Sequence, residues 1–292
     1  VGLDIIHDNQ SLGYGLLLFK SLSIPVVATI HHPLTIDLKV VLERVPTFIK
    51  KIKSRLFYPV MMQSYVAKRM NHIITVSQAA QSDIYHDFGV HIEKQTVVYN
   101  GIDRSIFKPI KSVDKIKGKL LFVGNVEDGK KGFIYLLKAL PLIDTELNLY
   151  VIDGGAPHRK ITKTLIDKLN ITDRVVFIGT STVEELVRHY NEAELVIVPS
   201  VYEGFGFPAA EAMSCGTPVI VSDGGALPEV VGDAGVIVPH RDHMEIASAI
   251  NSLYNDRERM NLLAAAGLYR VKEIFDWQKV VNEIVSVYDK II

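Results

Sequence analysis

The chain has 292 residues, 48% of them hydrophobic and 22% charged, with a formal net charge of −1. That length suits two domains of ordinary size, the composition is that of a globular protein, and the near-zero charge argues against bulk nucleic-acid binding. A single cysteine, Cys215, excludes an internal disulfide, and no apolar run approaches the ~18 residues that span a membrane, so a cytoplasmic location is expected.

Leu3–His7 (LDIIH) reads as a short buried strand, and Ser11 as the cap of a helix through Ser21. The chain opens on Val1 and reads as strand almost at once, so the natural N-terminus is expected further upstream. Pro25–Ile30 is the next strand, followed by His31, His32 and Pro33. Leu34 to about Arg69 reads as helical, interrupted at Pro46 and Pro59. Within it, Phe48–Phe57 (FIKKIKSRLF) interleaves four bases with apolar residues. Such a helix suits the inner membrane surface and a lipid-linked acceptor, although packing its apolar face inward is the commoner use. His72–Val76 is a strand, Ser77 a helix cap, Ala79–Phe88 a helix and Thr96–Tyr99 a further strand. The lysine-rich segment Lys108–Lys119 marks the expected domain boundary. Residues 1–107 then form a first, partial domain and 108–275 a second.

The second half alternates more cleanly. Leu120–Gly124, Leu147–Ile152, Val175–Ile178, Leu195–Val198, Pro218–Ser222 and Gly235–Val238 read as strands. Helices are expected over Phe133–Leu140, His158–Leu169, Val183–Asn191 with Thr182 as cap, Pro208–Cys215, and His243–Tyr254. A last helix, Gln278–Ile291, puts Val280, Val281, Ile284, Val285, Tyr288 and Ile291 mainly on one side. Alternation of this kind predicts parallel sheets covered on both faces.

The chemistry concentrates in Pro199–Gly235, a strand exit, glycine loop, helix and strand. Gly204 and Gly206 let backbone N–H groups approach a ligand closely, and Pro208 fits the first turn of a helix. A helix start with free donors suits an anion such as a diphosphate. Glu203 and Glu211 flank that loop, and carboxylates accept hydrogen bonds from sugar hydroxyls. A ligand with polyols on either side of phosphates has this pattern, and a nucleotide-sugar has that shape. The alternative is a surface loop followed by a solvated glutamate. A second glycine loop, GNVEDGKKGF (124–133), sets Lys131 before a glycine, another arrangement suited to phosphate.

Glu203-Gly-Phe-Gly-Phe-Pro-Ala-Ala-Glu211 resembles the signature of the family 4 retaining glycosyltransferases, and GALPEVV (225–231) resembles a further segment of that family. The resemblance implies the GT-B fold, two Rossmann-like α/β domains with parallel sheets and a cleft between them, the last helix (276–292) crossing back to the first domain. It implies that Glu203 contacts the donor sugar, Glu211 the ribose, and the amides of Gly204, Phe205, Gly206 and Phe207 the diphosphate. Gly124 and Lys131 carry over as diphosphate contacts. The family's arginine after the first glycine is Asn125 here, so one positive charge is absent, with Lys130 the nearest substitute. The backbone of Gly179 and Thr180 would meet the base. His31 matches the family's histidine near the transferred sugar, and Tyr14, between Gly13 and Gly15, lies on the acceptor side. Asn100–Asp103 resembles the family's hinge.

The implied activity is retaining transfer of a sugar from a nucleotide-sugar donor to a glycan, lipid-linked or small-molecule acceptor. The catalytic residues would be His31, Lys131 and Glu203; no cofactor and no metal are required. Asp4, His7, Asp8 and Asn9 do not have a recognised metal spacing. A full first domain would add strands before Leu3 and a further glycine loop. Two alternatives therefore stay open, a non-catalytic nucleotide-binding module and a nucleotide-sugar epimerase. A dehydrogenase is disfavoured, since no G-x-G-x-x-G opens a helix with an acid about twenty residues on.

Overall fold

The computed structural model describes residues 2–21, 23–44, 59–144, 146–154 and 160–292. The basic segment Phe48–Phe57 and the start of the helix expected from His158 lie outside these residues. The chain divides into two compact units, Val1–Gly101 with Gln278–Ile292, and Ile102–Trp277.

The first unit holds a four-stranded parallel sheet in the order β1-β2-β3-β4. Its strands are β1 (Ile6–Asn9), β2 (Val26–Ile30), β3 (His72–Thr75) and β4 (Gln95–Val97). Helices α1 (Leu16–Ser21), α2 (Leu34–Arg44), α3 (Val60–Ala67) and α4 (Gln78–Asp83) connect them. β1 starts and ends later than the apolar run suggests. Its ladder continues through His7, Asp8 and Asn9, paired with Val27, Ala28 and Thr29. Helix α1 is correspondingly shorter than the reading from Ser11, because the turn before it passes through Gln10 and Leu12 at positive φ. Ser77 caps α4, accepting from the Ala80 N–H at 3.0 Å. That helix widens into a π turn over Ile84–Phe88 and ends on Gly89 at φ +65°.

The C-terminal helix, which begins in the other unit at Trp277, lays its apolar face on this sheet. Val280 and Val287 are buried with Val27, Ile74 and Val98, and Ile284, Tyr288 and Ile291 pack around them. Fully burying a valine of this kind is worth about 1.5–3 kcal/mol.

The second unit is a six-stranded parallel sheet in the order β10-β9-β8-β5-β6-β7. Its strands are β5 (Lys119–Val123), β6 (Asn148–Ile152), β7 (Val175–Gly179), β8 (Leu195–Val198), β9 (Val219–Ser222) and β10 (Val236–Val238). The helices are α5 (Phe133–Ala139), α6 (Lys160–Leu169), α7 (Val183–Glu192), α8 (Phe207–Ser214), α9 (Leu227–Val231), α10 (His243–Tyr254) and α11 (Arg257–Ile274), and the C-terminal helix is α12 (Trp277–Asp289). Strands β8 and β9 are buried at every position, as expected for apolar runs covered on both faces. Thr182 caps α7 in a full capping box with Glu185. Short α9 is not among the helices expected from the sequence.

From β5 the chain winds to β6 and β7 on one side, then returns to β8, β9 and β10 on the other. The direction of winding reverses between β5 and β8. Open parallel sheets bind ligands in the crevice outside the strand carboxyl ends at such a point. The opposite end is sealed by a buried ion pair. Lys119, 1% exposed, donates to Glu192 Oε2 at 2.7 Å, and Arg188 donates to Oε1 at 2.7 Å.

Candidate active site

The loops after β5 and β8 flank the reversal point and are bonded through their backbones. The Val201 N–H donates to the Lys130 carbonyl at 2.6 Å. Asp128 accepts from the Lys130 N–H at 2.9 Å, shaping a 3-10 turn over Gly129–Lys131 that ends on Gly132 at φ +64°. A Cβ on Gly132 would lie 1.9 Å from the Pro199 carbonyl oxygen, so only glycine permits the approach. On the far side of the same loop, Cβ atoms on Gly224 and Gly225 would meet the Ser200 and Glu203 carbonyl oxygens, each at 2.3 Å. The Ala226 N–H donates to the Glu203 carbonyl at 2.9 Å. The Pro199–Glu203 backbone is thus pressed between glycines of two neighbouring loops.

This packing brings Lys131 to Glu203. Lys131 Nζ donates to Glu203 Oε1 at 2.8 Å, and the buried Ser200 hydroxyl donates to the same oxygen at 2.8 Å. The pair is largely shielded, with side chains 26% and 11% exposed. The Lys131 stem passes over Gly124, whose missing Cβ would lie 3.6 Å from Lys131 Cγ and Cδ. Asn125 is exposed, and its Oδ1 accepts from the Glu127 N–H at 3.0 Å. It therefore shapes the turn after β5 rather than adding a cation.

Beyond Glu203 the chain turns through Gly206 at φ +107°, and Pro208 opens the first turn of α8. Phe205 is buried, edge-on to Phe207 at 5.2 Å and to Phe275 at 5.3 Å, and so anchors the loop, while Phe207 is 43% exposed. Glu211, one turn along α8, is half-buried and accepts from the Tyr190 hydroxyl at 2.7 Å. Burial pushes the Glu211 carboxyl up from the ordinary range, and the Tyr190 bond opposes that rise. Gly179, at φ +88°, and Thr180 stand at the end of the edge strand β7, two strands from β5 at the same sheet edge.

In the first unit, His31 follows β2 and is braced from the β1 exit. Its Nε2 is 2.8 Å from Asn9 Oδ1, and its N–H donates to Gln10 Oε1 at 2.6 Å. Gln10 also donates to the His32 carbonyl at 3.2 Å. Burial, with His32 alongside, lowers the His31 pKa and keeps the imidazole neutral at pH 7. Tyr14 is 57% exposed and sits edge-on to Tyr65 at 6.1 Å. Among the described residues, no three His, Cys, Asp or Glu side chains form a metal cluster, and no helix is long and apolar enough to cross a membrane.

The family model for glycosyl transferases group 1 matches residues 103–268, and that for glycosyltransferase family 4 matches 1–106. The chain belongs to the group 1 glycosyl transferases. This glycosyl transferase is 36% identical over 294 residues to an MMP alpha-(1->4)-mannosyltransferase of Mycolicibacterium hassiacum, covering 99% of the chain and 71% of that relative. It superposes on sucrose-phosphate synthase from Thermosynechococcus elongatus with a TM-score of 0.83 at 27% identity, over 99% of this chain and 74% of the other. The Anabaena HepE structure in complex with UDP-glucose matches at a TM-score of 0.80 and 20% identity, over 98% and 79% of the two chains. The transferase thus has the two-unit, parallel-sheet GT-B fold expected from the sequence.

Sequence reasoning did not find Tyr190, or Ser200 as the partner of Glu203. Val187 and Tyr190 stand three apart on a helix, which reads as plain core. Pro199 and Ser200 are legible only as a strand exit at the binding edge.

Proposed function

We propose that this glycosyl transferase moves a sugar, with retention at the anomeric carbon and without a metal, from a nucleotide-sugar donor to a glycan, lipid-linked or small-molecule acceptor. The observation that carries the reading is the shielded Lys131–Glu203 pair at the point where the strand order reverses, with Glu211 eight residues further on. Ser200 and Lys131 both bond Glu203 Oε1, which leaves Oε2 for donor-sugar hydroxyls. Glu211 accepts from the ribose. Lys131 and the amides from Gly204 to Phe207 meet the diphosphate, and the main chain at Gly179–Thr180 meets the base. Charge grows on the diphosphate as its bond to the anomeric carbon breaks, and fixed donors aimed at that charge lower the barrier. The acceptor oxygen bonds the same face of the anomeric carbon, and its proton passes to the departing phosphate oxygen. His31, whose Nε2–H goes to Asn9 Oδ1, has Nδ1 left to accept from a hydroxyl of the sugar rather than to act as nucleophile. Tyr14 lies on the acceptor side.

The name of the 36%-identical relative supports nucleotide-activated mannose as the first donor to assay. The test is a thermal-shift screen against UDP-, GDP- and ADP-sugars, followed by detection of released UDP or GDP with an acceptor present. Donor at a hundred times its Kd stabilises the protein by about 2.7 kcal/mol. Lys131→Ala and Glu203→Ala are expected to abolish most of that shift. The same shift in both variants removes the site assignment, and donor conversion without any acceptor identifies an epimerase.

A further inference from the structure

Tyr190 is fully buried and is among the largest side chains to be so. Its surroundings fix it. The ring meets Phe107 edge-on at 6.3 Å, and its carbonyl accepts from the Thr217 hydroxyl at 2.6 Å. The adjacent Asn191 donates to the Val187 carbonyl at 2.9 Å and accepts from the Ile110 N–H at 2.7 Å. A phenol carries one proton to donate, and here it goes to Glu211 Oε2 at 2.7 Å.

We propose that Tyr190 is a positioning residue for nucleotide recognition. Its immobile hydroxyl pins Glu211 through Oε2 and reserves Oε1 for the ribose hydroxyls. This rests on the reading of Glu211 as the ribose ligand. A glutamate has three side-chain torsions, and ordering them at binding weakens affinity; a residue ordered beforehand avoids that loss. The tyrosine also sets the charge. Burial pushes Glu211 towards its neutral form, which would offer the ribose one acceptor fewer, and the phenol's donation counteracts this. The other titratable neighbours do not substitute for it. Cys215, one turn beyond Glu211 at the end of α8, is pushed up to about 12 by burial and by Glu211, so its thiol stays neutral. Lys115, brought down to about 8 by burial, spends its ammonium on the Ala193 carbonyl and the Thr217 hydroxyl. Burial and Glu211 together keep Tyr190 protonated well beyond the ordinary phenol range, so it remains a donor at every working pH.

The experiment compares binding of UDP and GDP with that of their 2′,3′-dideoxy counterparts by titration calorimetry, using the tighter base. The unaltered protein is expected to favour the ribo form about tenfold, roughly the worth of one net hydrogen bond. In Tyr190→Phe that preference falls to about two- or threefold, with dideoxy affinity unchanged. On acidification, the variant also loses ribo affinity at higher pH than the parent. In a Glu211→Gln background, Tyr190→Phe has no further effect. Equal weakening of both nucleotide forms, or full retention of the preference, overturns the inference, since the tyrosine then only holds the fold. If Glu211→Gln abolishes the preference and Tyr190→Phe does not, the inference fails alone. If Glu211→Gln keeps the preference, the ribose reading fails with it. Tyr190→Met, which removes the donor with a different filling of the space, gives the same comparison should the phenylalanine variant not fold.

Discussion

Gly132→Ala should do far more damage than its one added methyl suggests. The residue sits at φ +64°, where a side chain costs about 1–2 kcal/mol. Its new Cβ would also stand 1.9 Å from the Pro199 carbonyl oxygen, against 3.4 Å or more for an ordinary contact. The strain can be relieved only by moving backbone. Pro199 cannot retreat alone, because Val201 bonds Lys130 at 2.6 Å and the Ser222 hydroxyl bonds the Ser200 carbonyl. Losing one such bond adds about 0.5–1.5 kcal/mol. The total is about 1.5–3.5 kcal/mol, or roughly 3–14 °C in melting temperature for a unit of this size. Retreat of Pro199 also draws Glu203 from Lys131, so UDP and GDP binding should fall with stability. Gly89→Ala is the control. Its φ is +65°, and only the flexible end of the Lys68 side chain stands near, Cε at 3.2 Å and Nζ at 3.3 Å. It should cost the backbone term of about 1–2 kcal/mol and leave nucleotide affinity alone. Thermal melting and nucleotide titration of the two variants decide the matter. If Gly132→Ala melts no lower than Gly89→Ala and binds nucleotide normally, the account of the two loops as mutually wedged is wrong.

Glu192→Gln should flatten the acid limb of the stability curve. Burial alone would raise this carboxyl, but Lys119 and Arg188 hydrogen bonds hold it down to about 2. A depressed carboxyl contributes stability above its unfolded pKa of about 4.5, and that contribution disappears as pH falls from there towards 2. Denaturant midpoints of parent and variant should therefore converge in that window, and a constant gap from pH 7 to 2 contradicts the assignment. His31→Ala should lower turnover about 10²–10³-fold, the scale for loss of one preorganised hydrogen-bonding group at a reacting centre, without changing UDP or GDP affinity. Single-turnover kinetics beside calorimetry separate the two effects, and a loss confined to nucleotide binding refutes the role.

Much of this was legible because long apolar runs between glycine loops have one reading. Leu195–Val198 is a buried strand as expected, and the helix expected from Pro208 begins one residue earlier, at Phe207. The polar continuation of β1 through Asp8 and Asn9 was not legible, because a strand with one side facing solvent does not stand out from a loop. Helix α9 was hidden by its length, five residues with a proline among them. The glycines taught the sharper lesson. Gly132 reads as part of a loop suited to a ligand's phosphate, and Gly224 and Gly225 carry no ligand reading at all. In the structure they are where protein backbone approaches protein backbone, within 2.3 Å of where a Cβ would be. Sequence records that a side chain is missing but not what takes its place. The same blindness hid Tyr190, whose helical spacing fits a core residue whether or not its hydroxyl has a task.

Asn125 tests whether the β5 loop truly faces phosphate. The family resemblance expects an arginine there, and the structure uses Asn125 to accept from the Glu127 N–H at 3.0 Å. Aspartate makes the same turn equally well, since its carboxylate is the same acceptor with the same reach. Asn125→Asp therefore leaves the loop folded and adds one negative charge to its exposed rim. A unit charge some 7 Å from one diphosphate charge, at an effective dielectric of about 40, is worth about 1 kcal/mol. Over the two or three charges of a diphosphate, nucleotide affinity should fall about tenfold or more, and less so in high salt, where exposed charges are screened. The matching nucleoside, which has no phosphates, should bind the variant and the parent alike. The melting temperature should stay within about 1–2 °C of the parent, as for a surface substitution that breaks no special feature. If instead UDP and GDP bind as before, the loop after β5 does not cradle phosphate, and Lys131 must be serving Glu203 alone.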